Sequence, residues 1–230
     1  EPRVQGLQPA AASRRFPSYL APAMTQLPEL PLTLSRQEIR KMIRQRRRAL
    51  TPEQQQEMGQ QAATRMMTYP PVVMAHTVAG FVSFDGELDT QPLIEQLWRA
   101  GKRVYLPVLH PFSAGNLLFL NYHPQSELVM NRLKIHEPKL DVRDVLPLAQ
   151  LDVLITPLVA FDSQGQRLGM GGGFYDRSLA YLARRKNWRK PTLLGLAHEC
   201  QKVDRLALAS WDIPLAGTVT DAGWYVAGKR

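Results

Sequence analysis

Residues 151–176 read LDVLITPLVAFDSQGQRLGMGGGFYD. Leu151, Val153, Leu154, Ile155, Leu158 and Val159 form a near-continuous apolar run, the pattern of a strand covered on both faces. Gly165, Gly169, Gly171, Gly172 and Gly173 then fall within nine residues, where the backbone is free to take positive φ and approach a ligand with no Cβ in the way. From Phe174 the apolar positions Phe174, Leu179, Tyr181 and Leu182 take up helical spacing, with Asp176 in the opening turn. N–H groups left free at a helix start beside such a loop suit an anion, most often phosphate. Neither common phosphate signature is met. Phe174 stands where G-x-G-x-x-G needs its last glycine, and no G-K-[ST] closes a Walker loop.

Outward from this stretch, strands and helices alternate. Val78–Phe84 reads as a short apolar strand, Thr90–Ala100 as a helix capped by Thr90 and stopped by Gly101, and Val104–Leu109 as a second strand. That is a β-α-β unit, which implies parallel pairing. Leu117–Tyr122 alternates and reads as an edge hairpin with the residues near Val129 and Ile135, while Glu137–Leu148 reads as a loop. Beyond the glycine loop the helix runs to about Trp188. Thr192–Ala197 is a further strand, 204–211 a short helix or loop, and Ala216–Val219 a last short strand. The expected class is α/β, a three-layer α/β/α open, mostly parallel, Rossmann-like sheet, which binds ligands outside the carboxyl ends of its strands. Three strand ends carry polar chemistry: Asp85, Glu87 and Asp89; the glycine loop; and His198-Glu199-Cys200-Gln201. Glu87 reads equally as a site carboxylate or as a turn and cap residue. Asp176, at a helix start beside a phosphate-type loop, favours the reading as a site carboxylate that holds Mg²⁺ or accepts protons.

Towards the N-terminus, Ser35-Arg36-Gln37-Glu38 is a capping box and Ile39, Met42, Ile43 and Leu50 follow at helical intervals. Arg36, Arg40, Arg44 and Arg47 run along the opposite face, either as a solvated face or as a site for polyphosphate or nucleic acid. No acidic partner lies near in sequence, so this helix is expected to be mobile without nucleotide. Thr51-Pro52-Glu53 starts a second helix, to about Thr68, ended by Pro70-Pro71. Residues 1–33, rich in Pro, Ala, Gln and Ser and without periodicity, read as disordered, and 34–225 as one domain. The first methionine is Met24, and the residues before it read as upstream sequence.

The net charge of +9 is concentrated in residues 1–50, where ten Lys and Arg face three Asp and Glu; the remaining nineteen against seventeen give only +2. No apolar run approaches the roughly 20 residues of a membrane span. A single cysteine, Cys200, excludes an internal disulfide and suits a reducing compartment, hence cytoplasm. It reads as a small apolar residue rather than a nucleophile. The five histidines lack ligand spacing and read as surface or loop residues, and G-x-S-x-G, H-E-x-x-H and C-x-x-C are absent.

Pro157-x-x-Ala160-Phe161-Asp162-x-x-Gly165-x-Arg167-Leu168-Gly169-x-Gly171-x-Gly173-x-Tyr175-Asp176 resembles the glycine-loop motif of the 5-formyltetrahydrofolate cyclo-ligase (methenyltetrahydrofolate synthetase) family, most of all its enterobacterial form. Arg36-x-x-x-Arg40, Glu87-Leu88-Asp89-Thr90, Val104-Tyr105-Leu106-Pro107, and Asp212 ahead of Val219-Thr220 extend the likeness over Ser35–Thr220. The resemblance implies an ATP-dependent enzyme that converts 5-formyltetrahydrofolate to 5,10-methenyltetrahydrofolate and requires Mg²⁺. By position it implies that Arg36, Arg40, Arg167, Leu168, Gly169, Met170, Gly171, Gly172, Gly173, Phe174 and Tyr175 hold ATP. It also implies that Val82, Glu87, Met170, Gly171, Gly172, Gly173 and Phe174 meet the folate, and that Asp176 and Asp212 hold the metal. Arg167, Tyr175 and Asp176 are the catalytic candidates. Arg36, Met170 and Phe174 stand where the family commonly has Lys, Arg and Tyr. The expected partners are small molecules, with no nucleic acid, no membrane and a monomeric state. The rival readings are a basic nucleic-acid-binding module, and a sugar-phosphate or acyl-CoA binding protein on the same kind of sheet.

Overall fold

The structure is a computed structural model that describes residues 34–228; the stretch 1–33, expected to be disordered, lies outside them. Its spine is an eight-stranded sheet. The strands in chain order are β1 Thr77–Ala79, β2 Arg103–Leu109, β3 Leu117–Tyr122, β6 Val145–Leu146, β7 Val153–Thr156, β10 Thr192–Leu196, β11 Gly217–Val219 and β12 Trp224–Val226. They lie in the order β12-β11-β10-β7-β1-β2-β3-β6. The five from β11 to β2 are parallel, and β12, β3 and β6 close the two edges antiparallel. The apolar run opened above supplies the middle strand: Val153 and Ile155 face one way and Leu154 the other, and all three are buried.

Helices α2 (Pro52–Met67) and α4 (Gln91–Arg99) cover one face, with Ala62, Met66, Leu93 and Leu97 against Val104, Leu106, Val153 and Ile155. On the other face Leu179 and Leu182 of α5 (Phe174–Ala183) pack on Tyr105, Leu154 and Leu193. Helix α1 (Arg36–Arg48) starts at the expected capping box and buries Ile39 and Ile43 against Val159, Ala160, Leu168, Val203 and Leu206.

Several local expectations are corrected. Pro70-Pro71 do not merely end α2; with Pro in the first positions, where no N–H is needed, they open the short helix α3, Pro70–Met74. β1 stops at Ala79 rather than Phe84, because the chain beyond folds onto itself. There Ser83 Oγ donates to Leu88 O at 2.7 Å and accepts from Thr90 N at 2.9 Å. Thr90 precedes α4 but does not cap it, since its hydroxyl donates to Phe81 O at 2.7 Å. β3 pairs with β2 and β6, not with residues near Val129 and Ile135. Those belong to a separate hairpin of β4 (Leu128–Met130) and β5 (His136–Pro138). The stretch 137–148 is therefore not all loop, α5 ends at Ala183, and β12 had no counterpart in the sequence reading. The glycine-rich loop also contains paired backbone, with β8 (Ala160–Phe161) and β9 (Arg167–Leu168) antiparallel across it.

Candidate active site

Beyond the carboxyl ends of β1 and β7 lies a cavity of about 610 Å³. One wall is the glycine loop. Gly171 at φ +102° and Gly173 at φ +67° take conformations that side chains resist, and Gly173 leads straight into α5 with no side chain capping its first turn. The N–H groups of that turn thus remain open to an anion.

Three guanidinium groups surround this wall. Arg40 Nε donates to Gly169 O at 2.8 Å. Arg36 grips Asp212 with both terminal nitrogens, at 2.7 and 3.0 Å. Arg167, its side chain 4% exposed, bonds Asp176 Oδ1 at 2.6 Å, lies over the Tyr175 ring, and leaves its buried Nε without a partner. Burial opposes the charge on Asp212, but the Arg36 hydrogen bonds, the Ala209 N–H and the charges of Arg36 and Arg167 together outweigh it and hold the carboxyl below its usual range. Burial pushes the Tyr175 phenol up, followed by the negative field of Glu87, so it keeps its proton at neutral pH and remains a donor. Arg177 Nη2 bonds Gly172 O and its Nε bonds Gly115 O at 3.0 Å, tying the loop to the strand side.

The opposite wall is largely apolar, with Val82 from the segment after β1, Pro107, Leu109 and Leu117 from the sheet, and Leu133 and Ile135 from the β4–β5 hairpin. Glu87 is the charged group set into it. It is 8% exposed and accepts from Phe84 N at 3.0 Å. Burial pushes its carboxyl up to about 7, against the pull of the Arg47 charge.

The cavity gathers Arg36, Arg40, Val82, Glu87, Arg167 and every residue from Gly169 to Asp176. It does not gather the other two expected residues. Leu168 is 1% exposed and packs with Ile39 and Ile43 under α1, and Asp212 lines a smaller adjoining cleft that shares Arg36 and Arg167. Among the described residues no three His, Cys, Asp or Glu side chains come together as a metal cage.

Other residues had no signal in the sequence. The β4–β5 hairpin reaches the cavity with Asn131, Leu133 and Ile135, and Trp211, 66% exposed, stands at its edge. Glu137 holds that hairpin in place, accepting from Leu109 N at 3.0 Å and Asn131 Nδ2 at 2.9 Å. The basic helix does have acidic partners, all distant in sequence: Asp212 for Arg36, and Asp85 for Arg44, Arg47 and Arg48. Arg47 is not on a solvated face at all; it is fully buried. His198 is likewise buried, not a surface histidine, and burial followed by the Arg47 charge lowers its ring to about 4. Cys200 is partly buried, and its thiol is raised to about 11 chiefly by that burial, which fits a residue that is not a nucleophile.

No helix among the described residues is long and apolar enough to cross a membrane. The sequence model of the 5-formyltetrahydrofolate cyclo-ligase family matches residues 33–221. The chain is 82% identical over 181 residues to a 5-formyltetrahydrofolate cyclo-ligase of Escherichia coli, covering 78% of this chain and 96% of that protein. It is 48% identical over 185 residues to one of Haemophilus influenzae, covering 80% and 96%. The solution structure of Aquifex aeolicus 5,10-methenyltetrahydrofolate synthetase superposes with a TM-score of 0.72 at 25% identity, over 86% of this chain and 95% of that one. A glycine loop ringed by arginines, a buried carboxylate opposite it, and a match that spans both walls lead to one conclusion: the chain belongs to the 5-formyltetrahydrofolate cyclo-ligase family.

Proposed function

We infer that this ligase converts 5-formyltetrahydrofolate and ATP to 5,10-methenyltetrahydrofolate, ADP and phosphate, in one-carbon metabolism of the cytoplasm. The observation that carries the reading is the division of one cavity into an anion-binding wall and an apolar wall with a single buried carboxylate. ATP lies against the first, held by Arg36, Arg40, Arg167 and the N–H groups of 169–175. The pterin lies against the second, near Val82, where Glu87 accepts from the N–H edge of the amino-pyrimidine.

The formyl oxygen attacks the γ-phosphorus, the bond to the β-phosphate oxygen breaks, and ADP leaves. N10 then closes on the activated formyl carbon, its proton is lost, and the carbon–oxygen bond breaks to release phosphate. Such transfer needs alignment and neutralised charge more than covalent help. Arg167 and Arg40 supply fixed positive charge where the phosphoryl oxygens gather, and the neutral Tyr175 hydroxyl donates to the oxygen being activated. Asp176 and Asp212 fit Mg²⁺ in the way that ion is usually held, by one or two carboxylates with nucleotide phosphates completing the shell. Each carboxylate is paired with a guanidinium here, Asp212 with Arg36 and Asp176 with Arg167, so the same two pairs would hold the ion and present positive charge to the phosphates beside it. The bound ion would supply further neutralisation of the phosphoryl oxygens.

The assay is direct: methenyl product is followed spectrophotometrically with and without ATP. Product only with ATP supports the reading, and its absence removes it. Asp176→Asn is expected to abolish folate-dependent ADP formation while the far- and near-ultraviolet circular dichroism stay unchanged. A variant with normal turnover would remove the metal and catalytic assignment. The pairing of Arg36, Arg44, Arg47 and Arg48 within the protein supports small-molecule partners over an open basic stripe for nucleic acid, whose binding would weaken steeply with salt.

A further inference from the structure

Beneath the floor of the cavity, at the far end of α1 from Arg36 and Arg40, Arg47 presents an anomaly. Its side chain is fully buried, yet only Nη2 is satisfied, by Asp85 O at 2.7 Å with Asp85 Oδ2 at 3.6 Å; Nε and Nη1 have no partner. A buried guanidinium in that state is costly, and an apolar side chain of similar volume there is commonly neutral or stabilising. A buried polar group kept at such a cost calls for a reason beyond stability.

The reason lies in what the guanidinium touches. Asp85 at φ +52° and Gly86 at φ +75° form a left-handed turn that lies over α1, so that a side chain at Gly86 would come to rest on the Arg47 Cβ and backbone. The next residue is Glu87, the carboxylate of the cavity wall, which accepts a hydrogen bond from Phe84 N. We propose that Arg47 is a positioning residue for substrate binding: it locks the 84–87 turn from below and keeps the Glu87 carboxylate placed and charged for the N–H edge of the substrate. This rests on the pterin reading of that wall.

The groups that face Glu87 are Arg47 and Arg44 from α1, Asp85 on its own turn, and Tyr175 from α5. Burial pushes the carboxyl up to about 7, and Arg47 is the largest influence holding it down. Arg47 itself faces Arg44, His198 and Cys200 as well as the two carboxylates. A neutral His198 adds no competing positive charge beside the turn. One helix thereby serves both substrates, with nucleotide arginines at its start and a folate-side clamp at its end.

The test compares Arg47→Met and Arg47→Lys with the wild type. Arg47→Met is expected to fold with an undiminished melting temperature. Its KM for 5-formyltetrahydrofolate is expected to rise about fivefold at pH 7, the effect of cutting the ionised fraction of one carboxyl from about a half to about a tenth. That rise is expected to vanish by pH 9, with kcat and the KM for ATP within about twofold of wild type, and Arg47→Lys is expected to restore most of the affinity. A folate KM that does not depend on pH differently in Arg47→Met, or a loss spread equally over both substrates, would overturn the proposal. An independent arm titrates the Glu87 carboxyl by carbon NMR in the ligand-free protein. An upward displacement in Arg47→Met supports the electrostatic hold, and an unmoved titration refutes it. If the wild type gives no methenyl product, the functional reading fails, while this titration still decides what Arg47 does to Glu87.

Discussion

A carboxyl group that is 8% exposed and titrates near 7 is half charged at neutral pH, and that state costs stability. Because the folded-state value of Glu87 lies above the ordinary carboxylate value, the native protein binds more protons than the unfolded chain between the two, and stability falls as pH rises through that window. Glu87→Gln is therefore expected to raise stability by about 3 kcal/mol above pH 8 and by little below pH 4.5, as measured by urea unfolding at both pH values. The same variant is expected to raise the KM for 5-formyltetrahydrofolate about tenfold or more. His198 moves stability the opposite way. Its ring is depressed to about 4, so its contribution is present above the ordinary histidine value and is lost as pH falls towards 4. His198→Phe is expected to flatten that acid limb in a melting-temperature series from pH 7 to pH 4. The sequence made Glu87 visible as a candidate because it follows a strand. It did not reveal the burial of Arg47, because a charged residue in a run of charges carries no mark of burial until its three-dimensional neighbours are known; His198 stood out as a strand-end residue, but its burial was equally hidden.

Helix α1 shows where local pattern ends. Its capping box, its start and its apolar stripe were legible, since Ser35, Glu38, Ile39 and Ile43 interact within a few residues of one another or bury one face. Its anchoring was not, because the carboxylates that hold it are 37 to 176 positions away in the chain. Those anchors also change what is expected of the helix in the absence of nucleotide: its basic side is already bound at both ends. Asp85→Asn tests this with least disturbance, since Asn tolerates the positive φ at that turn while losing the charge. It leaves the buried Arg47 without its ionic partner, and a loss of about 3 kcal/mol is expected. Amide exchange should accelerate over 36–48 more than in α5. Uniform acceleration would mean that the helix is not held separately.

At the scale of the molecule, the parallel core β11-β10-β7-β1-β2 was readable from short apolar strands separated by helical segments, and the position of the cavity followed from the strand ends. The antiparallel edges were not. β6 has two residues, and β12 has alternating exposure too brief to show a period. The β4–β5 hairpin that closes the apolar side of the cavity was not legible as a separate pair, since Leu117–Tyr122 and Leu128–Met130 lie close in sequence and both read as strand. ATP with Mg²⁺ at 100 times its dissociation constant is expected to stabilise the protein by about 2.7 kcal/mol. Scanning calorimetry should show this as a rise in melting temperature of about 2–4 °C per kcal/mol.

The bond between Arg36 and Asp212 joins positions 176 residues apart. A ribosome adding 5–20 residues per second needs roughly ten to thirty seconds to supply the second after the first. Through most of that interval a nascent chain carries Arg36 and Arg40 without the glycine loop, and throughout it lacks Asp212. A product cut short before Asp212 therefore lacks the carboxylate that anchors the start of α1, however well its first helices form.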